Sequence, residues 1–326
     1  MPVHSAVPGH DRRGSGSRCG DRPRPGAALN IFRRLGLGSA AFGLDYGITN
    51  QAGKVTSPAV DAVFDLAGRK GVRVVDTAAD YGDSEAVIGA HAPAAAEFLI
   101  VTKVNPDRID GPGAARHQLE QSLRRLRQES VYGLLVHHAS GLTGPDGDRL
   151  HDELLELKAA GMVEKIGFSA YTPVEVDAVL ARHSVDLVQI PMNAIDHRFQ
   201  AAGTLDAMKR RGIEIHVRSL FLQGLLLAPV NGLPDYFRPL QPHLATLRSQ
   251  LAATGLSPLQ GCLLFGVQNP EVDVMIIGVT DPDQLAEICD AAEQIADSRF
   301  DFTPYGLTDE AYINPSRWPA NIRTGG

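Results

Sequence analysis

Between Arg34 and Ala296 one pattern recurs eight times: a short β-branched or leucine-rich run, a polar loop, then an amphipathic stretch ending in glycine or a charge. The apolar runs are Leu35–Leu37, Val72–Val75, Phe98–Val101, Gly133–Val136, Val163–Phe168, Leu187–Ile190, Ile213–Val217 and Val274–Ile277. The helical stretches are Pro58–Arg69, Ser84–Ala90, Gly113–Arg127, Asp148–Ala160, Pro173–Arg182, Thr204–Arg211, Gln241–Thr254 and Pro282–Ala296. Short apolar runs alternating with helical patterns imply parallel strands covered by helices. Eight such units predict an α/β fold of the (β/α)8 TIM-barrel type, which needs about 250 residues plus additions. The competing architecture, a doubly wound open sheet, calls for a glycine fingerprint after the first strand. Leu35-Gly36-Leu37-Gly38-Ser39-Ala40-Ala41 has a G-x-G but no third glycine, and a long loop follows, so the barrel is expected. Leu256–Val267 reads as an extra helix before the eighth strand.

A chain of 326 residues accommodates one large barrel or two average domains, and 44% hydrophobic with 21% charged residues is ordinary for a soluble globular protein. The net charge of −7 leaves no electrostatic footprint for nucleic acid. Cys19, Cys262 and Cys289 are too few and too scattered for a disulfide framework or a zinc site, so reduced thiols and no metal are expected. Residues 1–28 are rich in Arg, Gly, Pro and Ser and contain no apolar stretch; they read as a disordered tail or an overextended start. Arg12-Arg13 is not followed by a hydrophobic segment, which argues against an export signal. No apolar run reaches about 18 residues, so no membrane helix is expected. The expectation is a soluble, cytoplasmic protein with one barrel over residues 29–326, its C-terminal tail lying near the substrate loops, and an oligomeric state the sequence leaves open.

In such a barrel, catalytic groups collect at the C-terminal ends of the strands. Asp76 ends the second run, Lys103 follows the third, and His137 follows the fourth; Tyr81 opens the junction between Asp76 and the next helix. Each has a bland explanation. Asp76 suits a turn cap, Tyr81 a packed aromatic, Lys103 a solvated amine, and His137 a satisfied core histidine. Together, however, they are four chemically complementary groups at the ends of three successive strands.

The stretches that carry these residues, DTAADYGDSEAVIG, ILVTKV and LLVHH, resemble the aldo-keto reductase superfamily, as do LGLGSAAFG, EKIGFSAYTPVEV, VDLVQIPMNAID, SLFLQGLLL and IIGVTDPDQLAEI. The resemblance runs from Arg34 to about Ala296. It implies a TIM barrel, an Asp-Tyr-Lys-His tetrad and a nicotinamide cofactor, because no side chain supplies a hydride. In the implied chemistry Tyr81 is the general acid, and the base in the oxidative direction. A free phenol has a pKa near 10, and a neighbouring Lys103 ammonium is expected to lower it. Asp76 keeps that ammonium charged, and His137 orients the substrate carbonyl.

Carried over residue by residue, the resemblance puts Ser169 and Gln189 at the nicotinamide carboxamide, although Ala170 stands where an asparagine is usual. Arg218 replaces the aromatic that commonly stacks on the nicotinamide before Ser219. Two readings stay open there: a guanidinium that disfavours the oxidised ring, or one that points at substrate. Ser219, Leu220 and Gly224 belong to the same cofactor segment. Gly278, Thr280, Gln284 and Glu287 are expected around the pyrophosphate and adenosine, where a helix N-terminus favours phosphate. Val279–Gln284 contains no Lys or Arg and two acids, Asp281 and Asp283, so charge tips the choice between NAD(H) and NADP(H) toward NAD(H). The family as a whole leans the other way.

For substrate, the polar first loop with Asp45 and Tyr46, then His138, Asn193 and Arg198, suggests a hydroxyl-rich partner, a sugar or amino-sugar carbonyl. FGLDYGITNQAGKV also resembles a branch associated with carbohydrate and polysaccharide biosynthesis. The bland reading makes these solvated loop residues. Tyr305, Tyr312 and Trp318 either close the pocket or pack the tail on the barrel. Rival functions are a non-catalytic cofactor-sensing regulator, a lyase or epimerase using His137 and Lys103, and a redox-neutral epimerase that retains its nicotinamide.

Overall fold

The computed structural model describes residues 31–50, 52–91, 97–319 and 322; the expected tail at 1–28 lies outside them. Its strands are β1 (Leu35–Gly38), β2 (Val74–Asp76), β3 (Leu99–Val104), β4 (Val131–Val136), β5 (Val163–Ser169), β6 (Leu187–Pro191), β7 (Glu214–Arg218) and β8 (Val274–Gly278). They pair in chain order, all parallel, and β1 closes the ring by pairing with β8 as well as β2. The fold is the expected (β/α)8 barrel. Among the described residues no helix is long and apolar enough to cross a membrane.

Helices at Ser57–Lys70, Ala114–Leu126, Gly147–Ala159, Pro173–Leu180 and Pro282–Gln294 lie close to their expected bounds, and the extra helix occupies Pro258–Val267. Their starts follow capping chemistry. Thr172 with Glu175, and Ser257 with Gln260, form reciprocal capping boxes, and Asp281 accepts the Gln284 N–H. One strand boundary differs for a local reason. The run beginning at Val72 is not all strand, because Gly71, at φ 86°, ends the preceding helix and the Val72 N–H returns to Ala67 O at 3.0 Å. Val72 is the apolar residue that follows a left-handed helix cap, packed back on its own helix.

Strand periodicity places the chemistry. Val74, Val101, Leu135, Leu187, Val274 and Ile276 form a small cluster of their own, apart from the large core between strands and helices. Side chains two apart on a strand share a face. Two residues beyond the first four of these stand Asp76, Lys103, His137 and Gln189. A dry apolar layer is thus followed, at the C-terminal end of the barrel, by a polar one.

Candidate active site

The polar layer is built around a buried ion pair. Lys103 Nζ donates to Asp76 Oδ1 at 2.7 Å and to Thr77 O at 2.8 Å, with Lys103 only 1% and Asp76 4% exposed. The same Asp76 oxygen accepts from Gln189 Nε2 at 2.7 Å. An ion pair this dry persists only when further hydrogen bonds satisfy it, and these do so. The ammonium lies 5.0 Å from the centre of the Tyr81 ring, and the His137 ring meets Tyr81 edge-on at 5.9 Å. Asp76, Lys103, Tyr81 and His137 therefore come together.

Backbone packing fixes Tyr81 in place. Gly82 has φ +59°, and a Cβ there would meet Gly43 O at 2.4 Å; a Cβ on Gly43 would meet Tyr81 O at 1.8 Å. The first loop and the Tyr81 turn can touch only because both positions lack side chains. Ser84 Oγ ties the two together by hydrogen bonds to Ser39 O and Ser39 Oγ at 2.9 and 2.7 Å. These glycines and serines are supports that residue-by-residue reading passed over, although two glycines in flanking loops are a visible signal.

Electrostatics depart from the expectation for Tyr81. Burial raises its pKa, the Asp76 charge raises it further, and the Arg218 guanidinium draws it down. The phenol is held protonated rather than eased toward phenolate. Burial also lowers the Lys103 ammonium, opposed by the charge and hydrogen bond of Asp76. His137 is pulled down to about 4, first by burial, then by Lys103 and His138, against the pull of Asp80 and Asp76. It is a neutral imidazole at physiological pH. Its Nδ1 lies 3.4 Å from Asp80 Oδ2 without hydrogen-bond geometry, and its ring stacks on His138 with centres 4.8 Å apart.

From this layer a cleft of about 530 Å³ runs between the first loop, the segment after β7 and the start of the helix Pro282–Gln294. A volume of this order suits a bound small molecule. Asp76, Tyr81 and Tyr46 line one part of it. Arg218, Ser219, Leu220 and Gly224 line its wall, and Gly278, Thr280, Gln284 and Glu287 line the part near the helix start. Tyr46 is 44% exposed overall, but its hydroxyl is sunk in the cleft, where burial pushes its pKa up to about 12. The wall is strained: Ser219, Leu222 and Gln223, at φ 63°, 49° and 54°, are three of the four non-glycine residues with positive φ among the described residues. Left-handed conformations cost non-glycine residues about 1 kcal/mol or more and concentrate at functional sites.

Other expected site residues stand outside the cleft lining. Ser169 and Gln189 are buried and paired in register on β5 and β6. Gln189 Oε1 is buried without a hydrogen-bond partner, so an amide or hydroxyl donor would complete it. Asn193 holds the strained wall instead, its Nδ2 donating to Ser219 O at 3.3 Å and its Oδ1 accepting from Ile195 N. Arg198 clamps buried Asp196 through two hydrogen bonds, at 2.8 and 2.9 Å, and reaches Glu310 of the tail at 2.8 Å. These polar groups have partners within the fold, which gives the loop's polarity a structural explanation of its own. Asp45 is an exposed residue of the first loop. In the tail, Trp318 packs edge-on against Phe237 at 4.9 Å, and Tyr236 donates to Ala311 O at 2.8 Å, so these aromatics pack the tail on the barrel. Tyr171 was not singled out by sequence reasoning, yet its ring lies directly against Arg218; its signal was its place just after the unusual Ala170.

A profile of the Aldo/keto reductase family matches residues 34–301, and the chain belongs to that family, a family of oxidoreductases. Among curated proteins it is similar to an aldo-keto reductase of Mycobacterium marinum, 31% identical over 140 residues, which are 42% of this chain and 48% of that one. It is also similar to the methylglyoxal reductase DkgB of Salmonella typhimurium, 28% identical over 149 residues, 44% of this chain and 55% of the other. The match thus spans about half the length of these curated relatives. Among solved structures, a holo aldo-keto reductase of Bacillus halodurans superposes with a TM-score of 0.65 at 19% identity, covering 86% of this chain and 89% of that one. An aldo-keto reductase from Pseudomonas aeruginosa described as putative gives 0.60 at 21% identity, covering 80% and 89%. At such identities the superpositions carry the fold alone.

Proposed function

We propose that the protein interconverts a small carbonyl compound and its alcohol with NAD(P)(H), with Tyr81 as the proton-handling group. The observation that carries this reading is the buried Asp76–Lys103 pair beneath the Tyr81 ring, at one end of a cleft that continues to a helix N-terminus. The nicotinamide, when bound, supplies the hydride. The orphaned Gln189 Oε1 suits its carboxamide, with Ser169 alongside. Gly278 offers open space where a Cβ would stand, and Thr280 presents an N–H that the Gln284 side chain now occupies at 3.0 Å. Ser219, Leu220 and Gly224 form the wall between.

Tyr81 is protonated at neutral pH and so is loaded as a general acid for the reductive direction. The charge that develops on the carbonyl oxygen must draw the proton from a phenol whose pKa burial has raised. Lys103 and Arg218 then favour the phenolate that forms. Neutral His137 offers a hydrogen bond to the same oxygen without competing for the proton. Tyr46 and His138 remain the candidates for substrate contact, in keeping with a polar, hydroxylated carbonyl compound such as a sugar. Reduction of a small carbonyl is also what the Salmonella relative is named for.

Near the helix start the cleft lining carries Asp281 and Glu287 and no Lys or Arg among the described residues. A ribose 2′-phosphate would meet like charge there, so NAD(H) is the proposed cofactor. Separate calorimetric titrations with NADH and NADPH test both statements. Tighter NADH binding is expected, and a preference for NADPH would overturn the cofactor choice. Binding of neither, in protein free of retained nucleotide, would remove the hydride chemistry altogether.

A further inference from the structure

Carbonyl reduction as derived above uses only the charge of Arg218, and leaves its stacked and anchored placement unexplained. Arg218 ends β7, and it is the only cation among the described residues lining the cleft. Its guanidinium carbon lies 4.1 Å from the centre of the Tyr171 ring, and one terminal nitrogen donates to Ala170 O at 3.2 Å. Among the described residues no carboxylate stands within ion-pair distance of it, unlike Lys103 with Asp76 or Arg198 with Asp196. A guanidinium has five N–H donors in a rigid plane. Here one face is covered by an aromatic ring and one edge is anchored to backbone, so the guanidinium is fixed in orientation in the lining of the cleft. Holding a cation this way, stacked but unneutralised, prepares it for a planar or tetrahedral anion.

Charge bookkeeping at this end of the cleft points the same way. The Lys103 ammonium is matched by Asp76, which leaves Arg218 as the unmatched charge. Its field reaches the hydroxyls of both Tyr81 and Tyr46 and opposes the rise that burial gives each, so an anion seated on it would lie beside the proton-handling group. The acids Asp281 and Glu287 stand at the helix end instead.

We propose that Arg218, buttressed by Tyr171 and facing Tyr46 and Tyr81, is a receptor for an anionic group on the substrate, making the substrate a small carbonyl compound, or its alcohol, that carries a carboxylate or a phosphate. This rests on the reading of the cleft as a carbonyl site, and the two fail differently. The test compares succinic semialdehyde with butanal, for a carboxylate, and glyceraldehyde 3-phosphate with glyceraldehyde, for a phosphate, each with the nucleotide the protein binds. In the wild type kcat/KM should favour the charged member of at least one pair by tenfold or more. In Arg218→Met that ratio should collapse toward one, through KM for the charged member, and Arg218→Lys should restore part of it. Charged aldehydes turned over no better than neutral ones, or a ratio unchanged in Arg218→Met, overturn the proposal. So does an Arg218→Met variant whose only change is a relative gain in affinity for the oxidised nucleotide, which would make Arg218 a neighbour of the nicotinamide.

If no aldehyde is reduced and no nucleotide binds, the carbonyl reading fails. The anion receptor is then judged by calorimetry with succinate and with inorganic phosphate. Binding present in the wild type and lost in Arg218→Met sustains it, and binding absent or equal in both overturns it.

Discussion

The two ends of the barrel carry the same three kinds of residue and do different things with them. At the C-terminal end, Lys103 pairs with Asp76 and lies 5.0 Å from the centre of the Tyr81 ring. At the N-terminal end, Lys165 pairs with Glu214 and lies 5.0 Å from the centre of the Tyr132 ring. The difference is in what is left unsatisfied. Tyr132 donates a hydroxyl hydrogen bond to Glu214 at 2.7 Å, and the same carboxylate pairs with His216 Nε2 at 2.6 Å. Lysine, carboxylate and tyrosine are thus all satisfied there, and the atom left unpaired, His216 Nδ1, sits in a fully buried side chain. The upper set ties Lys103 and Gln189 to Asp76 and leaves the Tyr81 ring lining an open cleft, with Gln189 Oε1 unpaired. Burial separates them as well. Lys103, 1% exposed, has its pKa lowered by desolvation, whereas for Lys165, 27% exposed at the side chain, the hydrogen bonds of Glu214 and Tyr132 overcome a smaller desolvation and raise it. A lysine, a carboxylate and a tyrosine in contact therefore do not by themselves single out a site; the upper set is set apart because Tyr81 and Asp76 line the cleft that runs to the Pro282–Gln294 helix.

Paired substitutions break or sharpen this contrast. The largest effect is expected from Tyr81→Phe, which should lower kcat by about 10²–10⁴-fold with nucleotide affinity little changed, the scale of a lost general acid. Tyr132→Phe should leave turnover in place and cost about 1.5 kcal/mol of stability, as for one hydrogen bond to a charged group. Steady-state kinetics and urea unfolding on both variants check this, and matching losses of kcat would abolish the contrast. Next in size, Lys103→Met strands the Asp76 charge in a dry layer and should destabilise by about 3–5 kcal/mol besides removing activity. Lys165→Met should cost clearly less, because Glu214 keeps His216 and Tyr132 as partners and is nearer solvent. Equal shifts in the urea midpoint would show that burial does not separate the two ends.

The remaining effects are those of pH. His137 holds a pKa of about 4 against an ordinary 6.5, so the folded protein refuses a proton that the unfolded chain accepts. Its contribution to stability is full above pH 6.5 and is lost as pH falls from 6.5 to 4. Burial alone would raise the Glu214 pKa, but hydrogen bonds from His216, Lys165 and Tyr132 hold it down to about 2 against 4.5. Its contribution is full above 4.5 and is lost between 4.5 and 2. On acidification the upper end should weaken first. Unfolding curves across pH 7 to 3 should lose the upper window in His137→Asn and the lower one in Glu214→Gln; if both variants keep the wild-type pH dependence, these two groups do not govern it.

Much of the upper site was legible because strand periodicity is a one-dimensional signal. Asp76, Lys103 and His137 each lie two residues beyond an inward apolar residue, and a parallel barrel brings the ends of successive strands together. The helix caps at Thr172, Ser257 and Asp281 act just as locally, although they were not read from the sequence as caps. Asn193 and Arg198 were not legible as supports. Their partners, Ser219 and Glu310, are 26 and 112 residues away, and a polar loop reads the same whether its groups face a ligand or each other. The direction of the Tyr81 shift was misread for a related reason: adjacency to a lysine can be inferred from sequence, but the desolvation that outweighs it depends on everything packed around the ring.

By itself, then, the order of residues determined the alternation of strands and helices, which residues stand at the C-terminal ends of the strands, and the family. Only the tertiary structure decided which of two similar lysine–carboxylate–tyrosine sets lines the cleft that runs to the Pro282–Gln294 helix, that Arg218 is held by Tyr171 with no counter-charge among the described residues, and which polar groups are already satisfied. Hydrophobic period and capping act within a few residues of chain, whereas burial and hydrogen-bond satisfaction are sums over neighbours that the chain brings together only when the barrel closes.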